Sequence, residues 1–216
     1  MRVLRIVVHL HAQNVFTVIH MDRHTIRTVI IEGHVRSGFS FRERVVNDAS
    51  GTVAVIQMKD LNGAHFGIHE GGIARVQGKD IGPQHFLAKG DVLFVAKGAN
   101  NRAVVYDMDQ KAVAASAFFV LRPDPAKVDP HYLAWWINQK PVQEYLQQNM
   151  AGTYIPNITK PVVEGISVPL PPLDQQRLIA VVHQLSLREQ SIRATIARRR
   201  AALVDRILMT TTRTFT

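Results

Sequence analysis

The sequence predicts an α+β protein: a mixed domain followed by one long helix of the kind that forms coiled coils. Three observations lead to that class. Short β-rich runs bounded by glycine and asparagine turns fill the middle of the chain, and a helical pattern with a proline inside it precedes residue 150. After prolines at 169, 171 and 172, nothing interrupts a helix until about Met209. The expected organisation is an N-terminal extension over residues 1–25, a folded domain over 26–172 and the helix over 173–212.

Residues 1–25 are β-branched and poor in turn signals, and Met21 would serve as an alternative start. His9/His11 and His20/His24 have spacings that metal sites use, but no acidic or thiol partner lies close by, so no metal is expected. Thr52 to Leu61 is a β-rich run between Ser50-Gly51 and Asn62-Gly63. Leu87 to Asp107 reads as a tight turn at Lys89-Gly90-Asp91, a buried strand from Val92 to Ala96, a polar turn over 97–102 and a strand from Ala103 to Tyr106. Ala112 to Pro123 is again strand-like. Asp129 to Met150 is helical, with Asp129 as cap and Pro130 in the first turn. Pro141 should split it in two, and Gly152 should end the second piece. Trp135 and Trp136 fall at core-packing positions.

The prolines at 169–172 hold an extended joint, because the residue before each proline is pushed out of helical geometry. Asp174 is expected to cap the helix that follows. Leu178, Leu185 and Ile192 are spaced by sevens; Ile196 and Leu203 are spaced by seven, and Ile207 follows four later. A helix of about 35 residues is roughly 50 Å long. That exceeds what covering its own domain requires, so the seam should meet another helix; the alternative is a helix lying along the parent domain.

Composition narrows the functions. The 216 residues are 46% hydrophobic and 20% charged, and no run reaches the roughly 18–20 apolar residues of a membrane span. There are no cysteines, which rules out disulfides, thiolate zinc sites and cysteine nucleophiles and suits the reducing cytoplasm. The net charge is +9. From Asp174 onward eight arginines face three acidic residues, a net of +5. Charge of this density points to a polyanionic partner, nucleic acid first; a solvated basic surface or an acidic protein partner are the alternatives. No phosphate-cradling glycine loop, amino-methylation N/D-P-P-Y/F motif or nucleophile elbow is present. Gln57-Met58-Lys59, with Asp48 or Glu43 upstream, mimics a metal-dependent nuclease site. His65 and His69 lie in a glycine-rich segment whose non-helical geometry argues against a metal pair.

The stretch GISVPLPPLDQQRLIAVVHQL resembles the joint between a target recognition domain and its following helix in specificity subunits of type I restriction–modification systems. Val35 to Arg42, VAVIQMKDL, LAKGDVLFVAKG and Gly152 to Ile166 fall in the order those domains show, so the resemblance covers about Ile26 to Thr210. It implies that 26–172 is a DNA target recognition domain. Full-length subunits of the family repeat domain and helix twice, whereas this chain shows one copy and so resembles a half subunit. Its helix would pair with a second copy and space two inverted half-sites. The resemblance implies a non-catalytic chain in the cytoplasm that binds double-stranded DNA and no cofactor of its own. A separate methyltransferase subunit would carry S-adenosylmethionine, and a restriction subunit could join. A non-productive decoy that competes for the methyltransferase is the alternative.

Turns on a rigid sheet reach base edges, so Asn100, Asn101 and Arg102 are the expected base readers. Lys97, Arg42, Arg44, Lys59 and Lys160 are expected beside phosphates, and Tyr154 and Asn157 could do either. Each has a plain alternative as a solvated turn residue. Ala197 to Leu203 (ARRRAAL) would face the methyltransferase or simply solvate the helix.

Overall fold

A computed structural model of the chain describes residues 24–62, 67–152 and 156–213. His9, His11, His20, Met21, His65 and Tyr154, singled out above, lie outside the described residues. The strands are β1 (His24–Thr25), β2 (Arg36–Ser37), β3 (Val53–Ile56), β4 (Leu61–Asn62), β5 (Gly67–Ile68), β6 (Ala74–Val76), β7 (Asp91–Val95), β8 (Ala103–Tyr106), β9 (Ala112–Ala114), β10 (Phe118–Leu121) and β11 (Ser167–Val168). The helices are α1 (Ile26–Val29), α2 (Pro130–Ile137), α3 (Lys140–Gln148), α4 (Lys160–Glu164) and α5 (Leu173–Arg213).

Alternation along two strands builds the layers. A first sheet runs β2-β10-β7-β8, all antiparallel, and a second runs β6-β3-β9 with β3 and β9 parallel. All five residues of β7 are buried. Val92 and Phe94 point into a core shared with α1, α2, α3 and α4, while Leu93 and Val95 point into a second core against Ala54, Ile56 and Phe118. The period of two thus places helices on one face of the first sheet and the second sheet on the other. In β3, Ala54 and Ile56 face that shared core, and Val53 and Val55 face a third, closed by Phe39, Phe41, Val45 and Phe86. Burying a side chain such as Phe94, fully excluded from solvent, is worth about 2–3 kcal/mol.

Several expected elements shift. The run over 52–61 forms a strand only to Ile56; Met58–Asp60 then make a tight 3₁₀ turn in which the Asp60 carboxylate accepts from the Gln57 N–H at 2.8 Å. The strand-like run over 112–123 breaks at Ala115–Ala117, which lets β9 join the second sheet and β10 the first. The helix after Pro141 ends at Gln148, short of Gly152, with the Asn149 amide donating to the Tyr145 carbonyl. His24–Thr25 pair with Ser167–Val168, so the last two residues of the expected extension belong to a sheet with the 167–168 segment.

Two predicted helix signals operate as read. The Asp129 carboxylate accepts from the N–H groups of His131 and Tyr132 at 2.9 and 3.0 Å. Pro141 opens α3 after a break at Asn138–Gln139. At the proline joint three side chains take hold. Tyr132 Oη donates to the Pro169 carbonyl, Trp136 Nε1 donates to the Ser167 carbonyl, and Gln176 bridges the joint to the start of α2. Gln176 is 1% exposed: its Oε1 accepts from the Asp129 N–H at 2.9 Å, and its Nε2 donates to the carbonyls of Lys127 and Pro171. The second glutamine of the motif is therefore the bolt that fixes the angle at which α5 leaves the domain.

α5 begins at Leu173, one residue before the expected cap, and its first internal hydrogen bond runs from the Gln176 N–H to the Pro172 carbonyl. Asp174 sits in the first turn instead, where a carboxylate favours the positive end of the helix dipole. The helix has 41 residues, a length of about 62 Å. Gln176, Ile179, Ala180, His183, Leu187 and Ser191 form the side turned toward the domain. At 3.6 residues per turn, Leu178, Leu185, Ile192, Ile196, Leu203 and Ile207 share a stripe about 60° wide, roughly 180° from that side. All six are exposed, between 46% and 64%. The helix lies along its parent domain on one face and presents the predicted seam on the opposite one.

Candidate nucleic-acid interface

Hydrogen bonds bring the ends of several strands to one rim. Ser37, which ends β2, pairs with Phe119 near the start of β10, and Val95, which ends β7, pairs with Phe118. The Ala115 N–H donates to the carbonyl of Ile56, which ends β3, and the Ala96 N–H to the carbonyl of Ala117. The 156–158 segment joins the same rim: the Gly98 N–H donates to the Pro156 carbonyl and the Ile158 N–H to the Ala96 carbonyl. Gly38 is required there, since a Cβ would stand 2.1 Å from the Ala115 carbonyl oxygen. Gly98 makes the turn out of β7 at φ +93, a region open to glycine.

This rim gathers candidates far apart in sequence. Lys97 and Asn157 face each other across an antiparallel bridge. Lys97, Asn100 and Asn157 are exposed, and Arg102 and Lys160 are half-buried beside them in the chain. Lys59 leaves the end of β3 with its side chain exposed, 3.8 Å from Asp60. Arg42 and Arg44 are exposed in the connection that departs from this rim and reaches the far end of β3, where the Asp48 N–H donates to the Arg75 carbonyl.

Asn101 is corrected by its burial. It is 3% exposed, with its Nδ2 donating to the Val95 carbonyl at 3.0 Å, so its amide shapes the turn from inside and does not face a base. Two amides unforeseen in the sequence support the same turn. Asn138 exchanges two hydrogen bonds with the backbone of Ala103, and Gln143 Nε2 donates to the carbonyls of Asn101 and Ile137. Their signal was the α2–α3 break at Pro141, which aims side chains at the turn rather than along a helix.

The nuclease-like reading fails on geometry. Asp48 stands at the start of β3 and Lys59 beyond its end, and the Asp48 carboxylate is engaged by Ser50 and Gln77, whose hydrogen bonds hold its pKa below the usual carboxylate range. Among the described residues, no three acidic or histidine side chains converge as a metal site.

At the opposite end of β7, Asp91 is 1% exposed and pins three strands. Arg122 Nε and Nη2 donate to its two oxygens at 2.7 Å, and Arg36 Nη2 approaches at 3.4 Å. The hydrogen bond to Asp91 raises the Arg122 pKa, whereas burial and then the neighbouring Arg122 lower that of Arg36. Between α5 and the domain runs a cleft lined by β8, residues 67–70, α2 and residues 183–191. In it His131 Nε2 lies 3.0 Å from Asp107 and its Nδ1 2.8 Å from Gln184 Nε2, while burial lowers the pKa of His183. No helix among the described residues is long and apolar enough to cross a membrane.

Comparison with known proteins places this architecture. Residues 33–192 match the family model of the type I restriction modification DNA specificity domain. The type I restriction enzyme MjaVIII specificity subunit of Methanocaldococcus jannaschii is 28% identical over 111 residues, 51% of this chain and 25% of that protein. The HsdS subunit from Thermoanaerobacter tengcongensis is similar in fold at 18% identity, with a TM-score of 0.56 over 82% of this chain and 45% of that one. A chain from a structure of type I system assembly and conformational transition gives a TM-score of 0.62 at 18% identity, with the same coverage. The S subunit from M. genitalium gives 0.50 at 16% identity, over 76% of this chain and 38% of that one. The chain thus spans a quarter of its curated relative and less than half of each structural one. On the match over residues 33–192, the chain belongs to the type I restriction–modification DNA specificity family.

Proposed function

We propose that the chain is a DNA-recognition half subunit. It binds double-stranded DNA through the rim that carries Lys97, Asn100, Arg102, Asn157, Lys160 and Lys59, dimerises through α5, and reads a bipartite target of two inverted halves. Base discrimination falls to Asn100 and Arg102, since amides suit adenine and arginine suits guanine; the lysines neutralise phosphates. Arg42, Arg44 and Tyr154 are further candidate contacts. The dimer directs a separate methyltransferase subunit, which supplies S-adenosylmethionine, and a restriction subunit where the system cuts DNA. The chain itself binds no cofactor and acts in the cytoplasm.

One observation carries the reading: the apolar stripe lies on the side of α5 opposite its own domain, with all six residues exposed. A seam so placed pairs with another helix without disturbing the domain.

The test is a methylome. The chain is co-expressed with the methyltransferase subunit of its system in a methylation-free host, and adenine methylation is read by long-read sequencing. A bipartite inverted motif is expected. Co-purification without methylation would favour the decoy, and no complex at all would sink the partnership.

A further inference from the structure

The arginines of α5 are not spread evenly around it. At 3.6 residues per turn, Arg177, Arg188, Arg199 and Arg206 fall within about 40° of one another, on one flank between the domain-facing side and the apolar stripe. All four are exposed, and among the described residues none forms an ion pair. The other flank differs: it holds Arg193 and Arg200, and Arg193 is neutralised by Glu189 at 2.6 Å. A helix evenly dressed for solubility would carry mixed charge on both flanks; this one concentrates unpaired positive charge on one.

The ridge rises about 44 Å from Arg177 to Arg206, the length of about 13 base pairs at 3.4 Å each. Its flank is also the one that opens toward β8. Arg188 lines the cleft together with Ala103 and Val105, and the 97–102 turn leads directly into Ala103. Symmetry strengthens the arrangement. In an antiparallel pair, the two-fold axis stands perpendicular to both helices, and it keeps a flank on the same side of the pair as its mate. Two ridges then form one positive face between two recognition rims.

We propose that this arginine ridge binds the phosphate backbone of the DNA between the half-sites, so that α5 is a contact surface for the spacer as well as a connector. The inference rests on the reading of the chain as a DNA-recognition half subunit. The alternative occupant with the same charge preference is an acidic protein surface. The unpaired linear array and its continuity with the 97–102 turn favour the duplex.

The experiment uses the full chain and a mixed-sequence 40-base-pair duplex, with binding followed by fluorescence anisotropy across a salt series. Wild type is compared with the triple variant R188Q/R199Q/R206Q and, separately, with Lys97→Ala. Circular dichroism and light scattering confirm fold and dimer in each. The expected result is a salt slope reduced by about 2.7 per chain in the triple variant, about 0.9 for each phosphate that is no longer neutralised. A triple variant with the wild-type slope and affinity overturns the ridge, and if Lys97→Ala still weakens binding, the half-subunit reading stands without it. A triple variant that keeps its DNA affinity but no longer co-purifies with the methyltransferase assigns the ridge to a protein surface and overturns the inference too. Wild type that binds no duplex at any salt overturns both.

Discussion

Removing the Gln176 side chain tests whether one amide sets the joint. Gln176→Ala deletes three hydrogen bonds and leaves the Asp129 N–H, otherwise satisfied only by Gln176 Oε1 at 2.9 Å, beneath a residue that is 1% exposed. At about 1 kcal/mol for each neutral bond, with the higher cost of a stranded buried donor, the loss is about 3 kcal/mol. For a chain of this size that lowers Tm by about 6–12 °C. Gln176→Glu sharpens the test. Its charged carboxylate would keep one acceptor yet point an oxygen at the carbonyls of Lys127 and Pro171, which now accept from Nε2. It should be worse than alanine at pH 8 and recover as the pH falls and the carboxyl gains a proton to donate. The assay is urea unfolding by circular dichroism at one fixed protein concentration, because assembly shifts apparent stability. An alanine variant within 1 kcal/mol of wild type, or a glutamate variant indifferent to pH, would refute the role given to this amide.

Other outcomes follow from the same structure. Asp91→Ala strands Arg122 and Arg36 around an empty acceptor site and should cost about 3–5 kcal/mol in urea unfolding, or abolish soluble expression. Leu185→Asp with Ile192→Asp should make the protein monomeric in light scattering while leaving the domain folded, since both residues lie opposite the domain face. Arg102→Ala should relax base preference, whereas Lys97→Ala should weaken all sequences alike and lower the salt slope by about one; identical behaviour would remove the distinction. His183 has a lowered pKa because burial disfavours its charged form, so the unfolded chain takes up the proton first as pH falls below about 6.5. Stability should therefore drop from pH 7.5 to 5.5 by less in His183→Gln than in wild type, measured by thermal melts.

What was legible in the sequence was local. Asp129, Pro130, Pro141 and the prolines at 169–172 act through the dihedrals and donors of their own neighbours, and each did what its spacing announced. The two-residue strands β1, β2, β4 and β5 were not legible, because such strands exist only through a distant partner: His24 is a strand residue by virtue of Val168. Asp91 read as an ordinary turn aspartate, since nothing near it in sequence announces Arg36 or Arg122. Asn101 read as a base contact for the opposite reason. Polar turn residues are mostly exposed, and only the path of Val95 and Gln143 around it turns that amide inward. The stripe on α5 was visible as a period, but that it stands opposite the domain needed Gln176, Ala180 and His183 to be seen packing.

Beyond Ser191, the last residue of α5 that lines the cleft, none of residues 192–211 is buried. The 22 residues from Ile192 to Arg213 thus carry exposed apolar side chains on a helix that lacks packing there, and packing of an apolar face supplies most of a helix's stability in proteins. Their order is coupled to whatever covers them. Slow amide exchange in this segment should appear only on association, at the concentration where two copies meet, so that folding of the distal half and counting of the subunits become the same equilibrium. If two copies pair through this seam as proposed, protease cleavage within residues 192–211 should slow as the protein concentration rises.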